Sequence, residues 1–501
     1  MKKADHKILT RDKRKLQKRL ARKFWSDQLK PMFGPANIHY EMAERGRALG
    51  FGGIGAIHTM VNRLRLDEAI NQNLSLLKVH VPYFESDHVL NIAYNVMTGG
   101  TCLEDIDRLR DDTSYTTSLA AERIPDPTTA GDFLRRFEAS DIEALQETIN
   151  QARRQVWAIQ PDWFRAEAIL DVDGTDAITT GECKQGMDIS YKGIWGYAPL
   201  IISLANTKET LYLVNRPGNA TSSSEAGPWI DRAIDTVASV FEKVWLRGDT
   251  DFSLTEHLDR WDQRVSFVLG YNAYANLVEQ AEALTRKAWR RLDRPARYCV
   301  QTKPRRRPDN IKEHIIHQRG YKNFRLESEQ VAEFDYRPGN CQKTYRMVVV
   351  RKNLSVEKGE TRLFDEIRYF FYITNDRTLS PQQVVLFANE RCDQENVIEQ
   401  LKNGVNALRM PSDHLLSNWA YMVMAALAWN LKAWFGLLAP DAAVGQQIVR
   451  MEFKRFLRSF ILIPCQVIRT GRRLLFRVLT YTRHLRPFFE TFDFIRACRF
   501  A

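Results

Sequence analysis

The chain has 501 residues, 44% of them hydrophobic and 11% aromatic, which excludes a disordered or fibrous protein and allows two to four domains. Its formal charge of +12 is concentrated at the ends: residues 1–23 and residues 450–501 each carry +9, leaving −6 in the middle. Basic ends around a mildly acidic body suit a phosphate backbone, although solvated termini would show the same counts.

Seven scattered cysteines, with no CxxC pair and no HExxH, predict reduced thiols rather than a disulfide framework or zinc site. The basic N-terminus lacks a following apolar stretch, so it does not read as a secretory signal. The most apolar run, Ala420 to Trp429, is interrupted by Asn430 and Lys432 and is too short for a membrane span. A soluble, cytoplasmic protein without a membrane partner is expected.

After a basic N-terminal arm (1–39), residues 40–160 read as a helical domain. HTMVNRLRLDEAINQNL and SDHVLNIAYNVMTGG space their apolar residues three and four apart. Thr128, Thr129 and Asp132 precede what reads as two short capped helices running to Trp157. The pattern changes after residue 160. AEAILDVDGT (166–175) is a short apolar strand ending in a turn; APLIISLAN and ETLYLVNRPG follow as strands around an Asn206–Lys208 turn. SSSEAGPWIDRAIDTVASVFEK (222–243) is an amphipathic helix, VWLRGDTDF a strand, SLTEHLDRWDQ a helix and VSFVLGYNA a fifth strand. Three strands, helix, strand, helix, strand is the order of an RNase-H-like domain, though other mixed sheets share it.

Residues 273–383 interrupt that domain with a basic, β-rich insertion. Arg286 to Arg307 holds ten Lys/Arg against one acid, and KTYRMVVVRKNL and EIRYFFYITND read as strands. A long helix then starts at Ser380 with Pro381 in its first turn. An apolar helix at 415–438 and a basic, aromatic-rich region (441–501) close the chain. The domain boundaries are thus 1–39, 40–160, 161–272, 273–383, 384–440 and 441–501.

Three acids stand where a catalytic ligand could be presented: Asp173 ending the first strand, Asp249 ending the fourth, and Glu395 on the long helix. Phosphoryl transfer on DNA calls for hard cations, in two-metal sites about 3.5–4 Å apart, held by convergent carboxylates. These acids lie far apart in sequence, so only the fold could bring them together. Asp171 and Asp251 are alternates for the first two positions. The reading for a spare acid is a turn cap.

RGDTDF resembles the second-Asp motif of DDE transposases of the insertion-sequence-4-like superfamily. Arg391, Glu395 and Lys402 reproduce that superfamily's Arg–three residues–Glu–six residues–Lys spacing. NRPGN (215–219), YRMVVVRKNL, YITND and HLLSNWAYMVMAALAWNL resemble the group named for insertion sequence 1380, over roughly residues 40–480. One departure is clear: the family's Tyr three residues before the Arg falls at Ala388, with Phe387 beside it.

The resemblance implies an α/β, RNase-H-like catalytic core in which Asp173, Asp249 and Glu395 bind two Mg2+ ions, with Mn2+ as substitute. It implies cleavage and strand transfer at the inverted-repeat ends of an insertion sequence, by a homodimer in a synaptic complex with double-stranded end and target DNA. The freed 3′-OH would attack either the opposite strand, as a hairpin, or target DNA. Arg391 and Lys402 would contact DNA from the Glu395 face of the helix; a solvated ion-pair ladder is the competing reading. Trp289 amid Arg286, Arg290 and Arg291 has the make-up of a base-stacking ring among phosphate-binding cations. A helix packing Trp289 inward beneath a solvated basic face is the alternative. Gly218 and Asn219 read as a turn.

Two rival functions remain. DVDGT is also the nucleophile motif of haloacid-dehalogenase-like phosphatases, in which Asp171 would attack phosphorus and Asp173 act as acid and base. A catalytically silent, DNA-binding transposase derivative is the other, opposed by the presence of all three acids.

Overall fold

A computed structural model of the chain describes residues 3–21, 40, 47–80, 82–295, 311–358, 361–471 and 473–500. The basic arm carries a helix, α1 (Lys3–Ala21). Between Ile54 and Arg165 the described chain forms a succession of helices, as its spacing predicts. The caps differ from expectation. Asp126, rather than the threonine pair, caps the helix Pro127–Leu134, accepting the Thr129 N–H at 2.7 Å. Pro127 fits that first turn because it has no N–H to leave unpaired there. The helix that follows, α2 (Ala139–Ala158), is 20 residues long rather than short.

Five strands form the centre: β1 (Glu167–Gly174), β2 (Leu200–Leu204), β3 (Glu209–Val214), β4 (Lys243–Gly248) and β5 (Ser266–Tyr271). Their order is β3-β2-β1-β4-β5. The first three are antiparallel neighbours, whereas β4 lies parallel to β1 and β5 parallel to β4. Parallel neighbours need crossovers, supplied by α3 (Ala226–Ala238) and α4 (Thr255–Trp261). This is the strand order of an RNase-H-like domain, as predicted.

The insertion extends the same sheet. Its three long strands are β6 (Lys322–Tyr336), β7 (Tyr345–Lys358) and β8 (Thr361–Thr374), with Arg290–Arg291 a short edge strand on β6, and β8 pairs antiparallel with β5 from Thr374–Val268 to Phe371–Tyr271. The sequence predicts β7 and β8 but not β6. The outer half of β6 is largely exposed, so KNFRLESEQVAEFDY has no clean apolar alternation to read.

At the other edge every residue of β3 is buried, and side chains take its outward backbone groups. From α7 (Leu415–Leu437), Asn430 accepts the Thr210 N–H (3.0 Å) and donates to the Thr210 carbonyl (3.1 Å). Trp419 donates to Leu213 O and Trp429 to Lys208 O, while Gln146 of α2 accepts the Leu213 N–H. Asn430 thus interrupts the apolar run because a covered sheet edge needs polar partners.

Lys432 is different. It is fully buried, its amine donating to the Val449 carbonyl (2.5 Å) and lying 3.6 Å from the Trp429 ring centroid. Burial holds this amine well below the ordinary lysine range. The unfolded chain therefore binds a proton that the folded chain resists, which disfavours folding at neutral pH. Lys432→Met is expected to raise the thermal midpoint, by about 1–3 kcal/mol of stability. A lowered midpoint would show that the amine's two contacts outweigh its desolvation.

The basic C-terminal region closes back on the start of the helical domain. Its hairpin, Cys465–Thr470 with Arg473–Val478, pairs with Ala48–Leu49. Gly53 packs so tightly there that a Cβ would stand 1.9 Å from the Phe460 carbonyl oxygen. Among the described residues no helix is long and apolar enough to cross a membrane, and the six described cysteines are free.

Candidate active site

Alternate residues of a strand share a face, so Ile169, Asp171 and Asp173 look one way from β1. Ile169 packs in a small apolar cluster with Trp245, Val268, Val384 and Val385, beneath α5 (Pro381–Asn389). Asp173 is therefore aimed at the helical run that α5 begins. That run is the predicted long helix. It is capped by Ser380, whose Oγ accepts the Gln383 N–H (3.3 Å) while Gln383 accepts the Ser380 N–H (2.8 Å).

The run is not uniform, however. Glu390–Cys392 is a 3-10 turn, α6 (Asp393–Glu399) follows, and Gln400–Gly404 is a π-helical turn. Tighter and wider turns shift which residues share a face. Arg391 is turned inward: its Nη1 donates to Asp173 Oδ2 at 2.8 Å, and its Nη2 lies 4.0 Å from Asp249 Oδ2. Gln394 also faces the sheet, donating to the Ile201 carbonyl (3.2 Å) and hydrogen-bonding Ser203. Glu395, one position on, is exposed, and Lys402 is half-buried.

Asp249 leaves β4 in a turn where its Oδ1 accepts the Asp251 N–H at 3.0 Å, so Oδ2 is left facing Arg391. The turn runs hard against β5. A Cβ on Gly270 would come within 2.9 Å of the Thr250 nitrogen, so only glycine lets Asp249 lie so close. Nothing in the acidic motifs marks Gly270.

The alternates take other roles. Asp171 is buried and forks onto Arg247 of β4 at 2.7 and 2.9 Å, and Arg247 also donates to the Phe387 carbonyl. An attacking carboxylate needs an oxygen open to substrate, and Asp171 has none. The phosphatase reading loses its nucleophile. Asp251 is exposed and contributes its backbone N–H to Asp249. In the insertion, Arg286, Arg290 and Arg291 are exposed. Trp289 is buried, with the Arg351 guanidinium 4.2 Å from its ring centroid and Tyr369 beside it. It packs inward, the alternative that the sequence left open. The rest of that basic stretch, 296–310, lies outside the described residues.

Electrostatics follow from the geometry. Burial pushes the Asp173 carboxyl up to about 6; the Arg391 guanidinium opposes this and the Asp249 charge adds to it. Burial also raises Asp249, against Arg391, and lowers the Lys402 amine, against Asp176. Since Asp173 titrates higher folded than its ordinary 3.8, the unfolded chain binds fewer protons between these values. Its ionisation therefore disfavours the fold above about pH 6 and has no effect below about pH 4. Asp173→Asn is expected to be more stable than wild type at pH 7, by about 1–3 kcal/mol. The difference in thermal midpoint should shrink as pH falls from 6 to 4; a constant difference would mean that Asp173 does not titrate in this window.

Among the described residues no three Asp, Glu, His or Cys side chains gather into a metal-binding group. Two carboxylates do converge on a cationic guanidinium, however. A partly desolvated pair of hard oxygen donors is the donor chemistry that suits magnesium or manganese.

The family model described as transposase DDE domain group 1 matches residues 41–499. The chain belongs to that family. As a DNA transposase it cleaves and transfers DNA strands, and DDE transposases in general work with divalent metal ions. Among solved structures, a cryo-EM synaptic complex of piggyBac transposase with hairpin DNA is similar to this transposase at a TM-score of 0.36 and 10% identity, covering 83% of this chain and 84% of that one. That likeness is too loose to carry residues across. No curated protein matches the chain.

Proposed function

We propose that this transposase cuts and rejoins DNA at the terminal inverted repeats of an insertion sequence, with Asp173, Asp249 and Glu395 as its acidic triad. One observation carries the reading. Asp173 and Asp249, from the ends of two adjacent parallel strands, converge on one guanidinium supplied by the 3-10 turn that leads into the helix bearing Glu395. Asp173 and Asp249 would hold a divalent metal, magnesium or manganese, and Glu395 would complete a second position. When bound, such metal supplies an activated attacking oxygen and a stabilised leaving oxygen.

The chain's own groups do the rest. The Asp251 N–H fixes the Asp249 carboxylate. Arg391 bridges both aspartates and is placed to meet a phosphate that enters beside them. Burial lowers the Lys402 amine from its ordinary range while the Asp176 charge opposes this, and a phosphate drawing near would favour its charged form. Exposed Arg286, Arg290 and Arg291, with the basic faces of α1 and the C-terminal hairpin, would track the backbone and set register rather than read bases. The motif likeness to the insertion sequence 1380 group favours a homodimer that pairs two ends, with the freed 3′-OH attacking the opposite strand or the target.

The test is a labelled duplex carrying the repeat that flanks the coding sequence, incubated with magnesium, manganese or EDTA. Metal-dependent nicking at the repeat boundary is expected. Cutting that persists in EDTA, or falls at random positions, would sink the reading.

A further inference from the structure

Most of the insertion is a ribbon. Of β8 only Phe371–Thr374 pairs with β5, and of β6 only Gln330 and Val331 meet the Arg290–Arg291 edge strand. Beyond those points β6, β7 and β8 run on with exposed apolar side chains on both faces: Phe324, Leu326, Phe364, Ile367 and Phe370 are 41–52% exposed. Among the described residues neither outer edge has a further strand beside it. An unpaired edge is a row of N–H and C=O groups ready to accept another strand, and bulges, prolines or lysines blunt it. The β6 edge is blunted by a bulge at Glu327, in the middle of its free stretch. On β8 the bulge falls at Leu363, near the outer end. Between it and Phe371 lie seven residues of regular strand, Phe364–Phe370, with neither proline nor lysine.

That stretch, FDEIRYF, is complementary to itself. Two identical strands joined edge to edge and antiparallel are related by a two-fold axis normal to the sheet, and opposed residues share a face. One residue must therefore lie on the axis, opposite its own copy. Centring on Asp365, Glu366 or Arg368 would set a charge against itself, and centring further out leaves most of the stretch unpaired. Centring on Ile367, the middle residue, sets Ile367 against Ile367, Glu366 against Arg368, Asp365 against Tyr369 and Phe364 against Phe370. Within one chain Arg368 Nε already donates to Glu366 Oε1 (2.5 Å), with its guanidinium 4.7 Å from the Phe324 ring centroid. A second copy would complete a square of four charges of alternating sign, flanked by the paired phenylalanines.

Other occupants fit less well. A nucleic-acid backbone offers no row of amides to an edge strand, and two of the three charges in the stretch are negative, Asp365 and Glu366. An unrelated peptide would not require the stretch to match itself. Self-complementary charge about a central apolar residue is what an isologous contact requires.

We propose that β8 joins two copies of this chain through Phe364–Phe370, with Ile367 on the two-fold axis, so that two three-stranded ribbons continue as one six-stranded sheet. The pairing needs neither DNA nor metal, so it stands apart from the reading of Asp173 and Asp249. A strand edge this short buries less than the roughly 800 Å² per partner of a standard interface, and a dissociation constant on the order of 1–100 μM is expected. The full chain without DNA is followed by sedimentation velocity across that range, and cysteine variants are treated with a mild oxidant. Wild type should dimerise. Ile367→Cys should cross-link into a covalent dimer, whereas Asp365→Cys, opposite Tyr369, and wild type, with its exposed Cys183 and Cys392, should stay uncross-linked. Glu366→Arg and Arg368→Glu should each weaken the dimer about ten-fold or more, and the double variant should return it to within about three-fold of wild type. These side chains are exposed or half-buried, so the fold is not at stake. Wild type that stays monomeric at about 100 μM, a double variant without rescue, or Asp365→Cys cross-linking as readily as Ile367→Cys overturns the pairing. So does a dimer that forms only with DNA and without the Ile367→Cys cross-link, which would mean that DNA alone bridges the copies.

Discussion

Asp173→Ala and Asp249→Ala are expected to lower the rate of strand cleavage by about 10³-fold or more, with binding to the element's end changed no more than a few-fold. Metal-assisted stabilisation of attacking and leaving oxygens is worth several kcal/mol, and about 4 kcal/mol corresponds to three powers of ten. Glu395→Ala should match them if the triad acts as a unit, because residues of one catalytic constellation do not contribute additively. Glu395 is exposed, so its loss should leave the thermal midpoint unchanged, which makes it the cleanest of the three. Asp171→Ala is the internal contrast. It strands the buried Arg247 guanidinium, so its main effect should be a loss of stability of about 3–5 kcal/mol. Single-turnover cleavage with bound-fraction controls, run beside melting curves, separates the two outcomes. Normal cleavage by Asp173→Ala or Asp249→Ala would remove those residues from the chemistry.

The largest stability effect is expected at Glu209. This carboxylate is fully buried and accepts from Arg153 Nε (2.9 Å), Trp157 Nε1 (2.9 Å) and Trp434 Nε1 (2.7 Å), while Arg153 also donates to the Thr210 carbonyl. One side chain of β3 thereby ties the helical domain's α2 to α7. Removing it leaves a buried guanidinium without its counter-charge and two indole N–H groups without acceptors. A buried pair broken on one side costs about 3–5 kcal/mol, and each orphaned donor adds about 1–3 kcal/mol. Glu209→Ala should therefore lower the midpoint more than Glu209→Gln, which keeps an acceptor for the indoles. Equal midpoints for Glu209→Ala and wild type would mean that water replaces the carboxylate at no cost.

The residues of the core sheet and its crossover helices were legible in the chain because they are local patterns. Short apolar runs ending in turns gave β1 to β5, and the Ser380–Pro381 start gave the long helix. The two aspartates were legible because a strand end is where a sheet presents ligands. The motif resemblance, not periodicity, pointed to Glu395 and to the family. The small sheet formed by Ala177–Ile178, Asp188–Ile189 and Trp195–Tyr197 went unread because its strands are two or three residues long, too short to carry a period.

What the sequence determined by itself is therefore the fold class, the positions of the acids and the basic ends, all properties of neighbours along the chain. The tertiary structure alone decided which charges are spent on structure and which are left for chemistry. Asp171 and Asp173 are two residues apart on one strand face, yet Arg247 neutralises the first in the interior while Arg391 joins the second to Asp249. Trp289 lies within a basic run but is covered by Arg351 from another strand, and Glu209 meets donors 52 to 225 positions away. The free energy of a buried charge is set by the partners that folding brings to it, and sequence spacing does not record them.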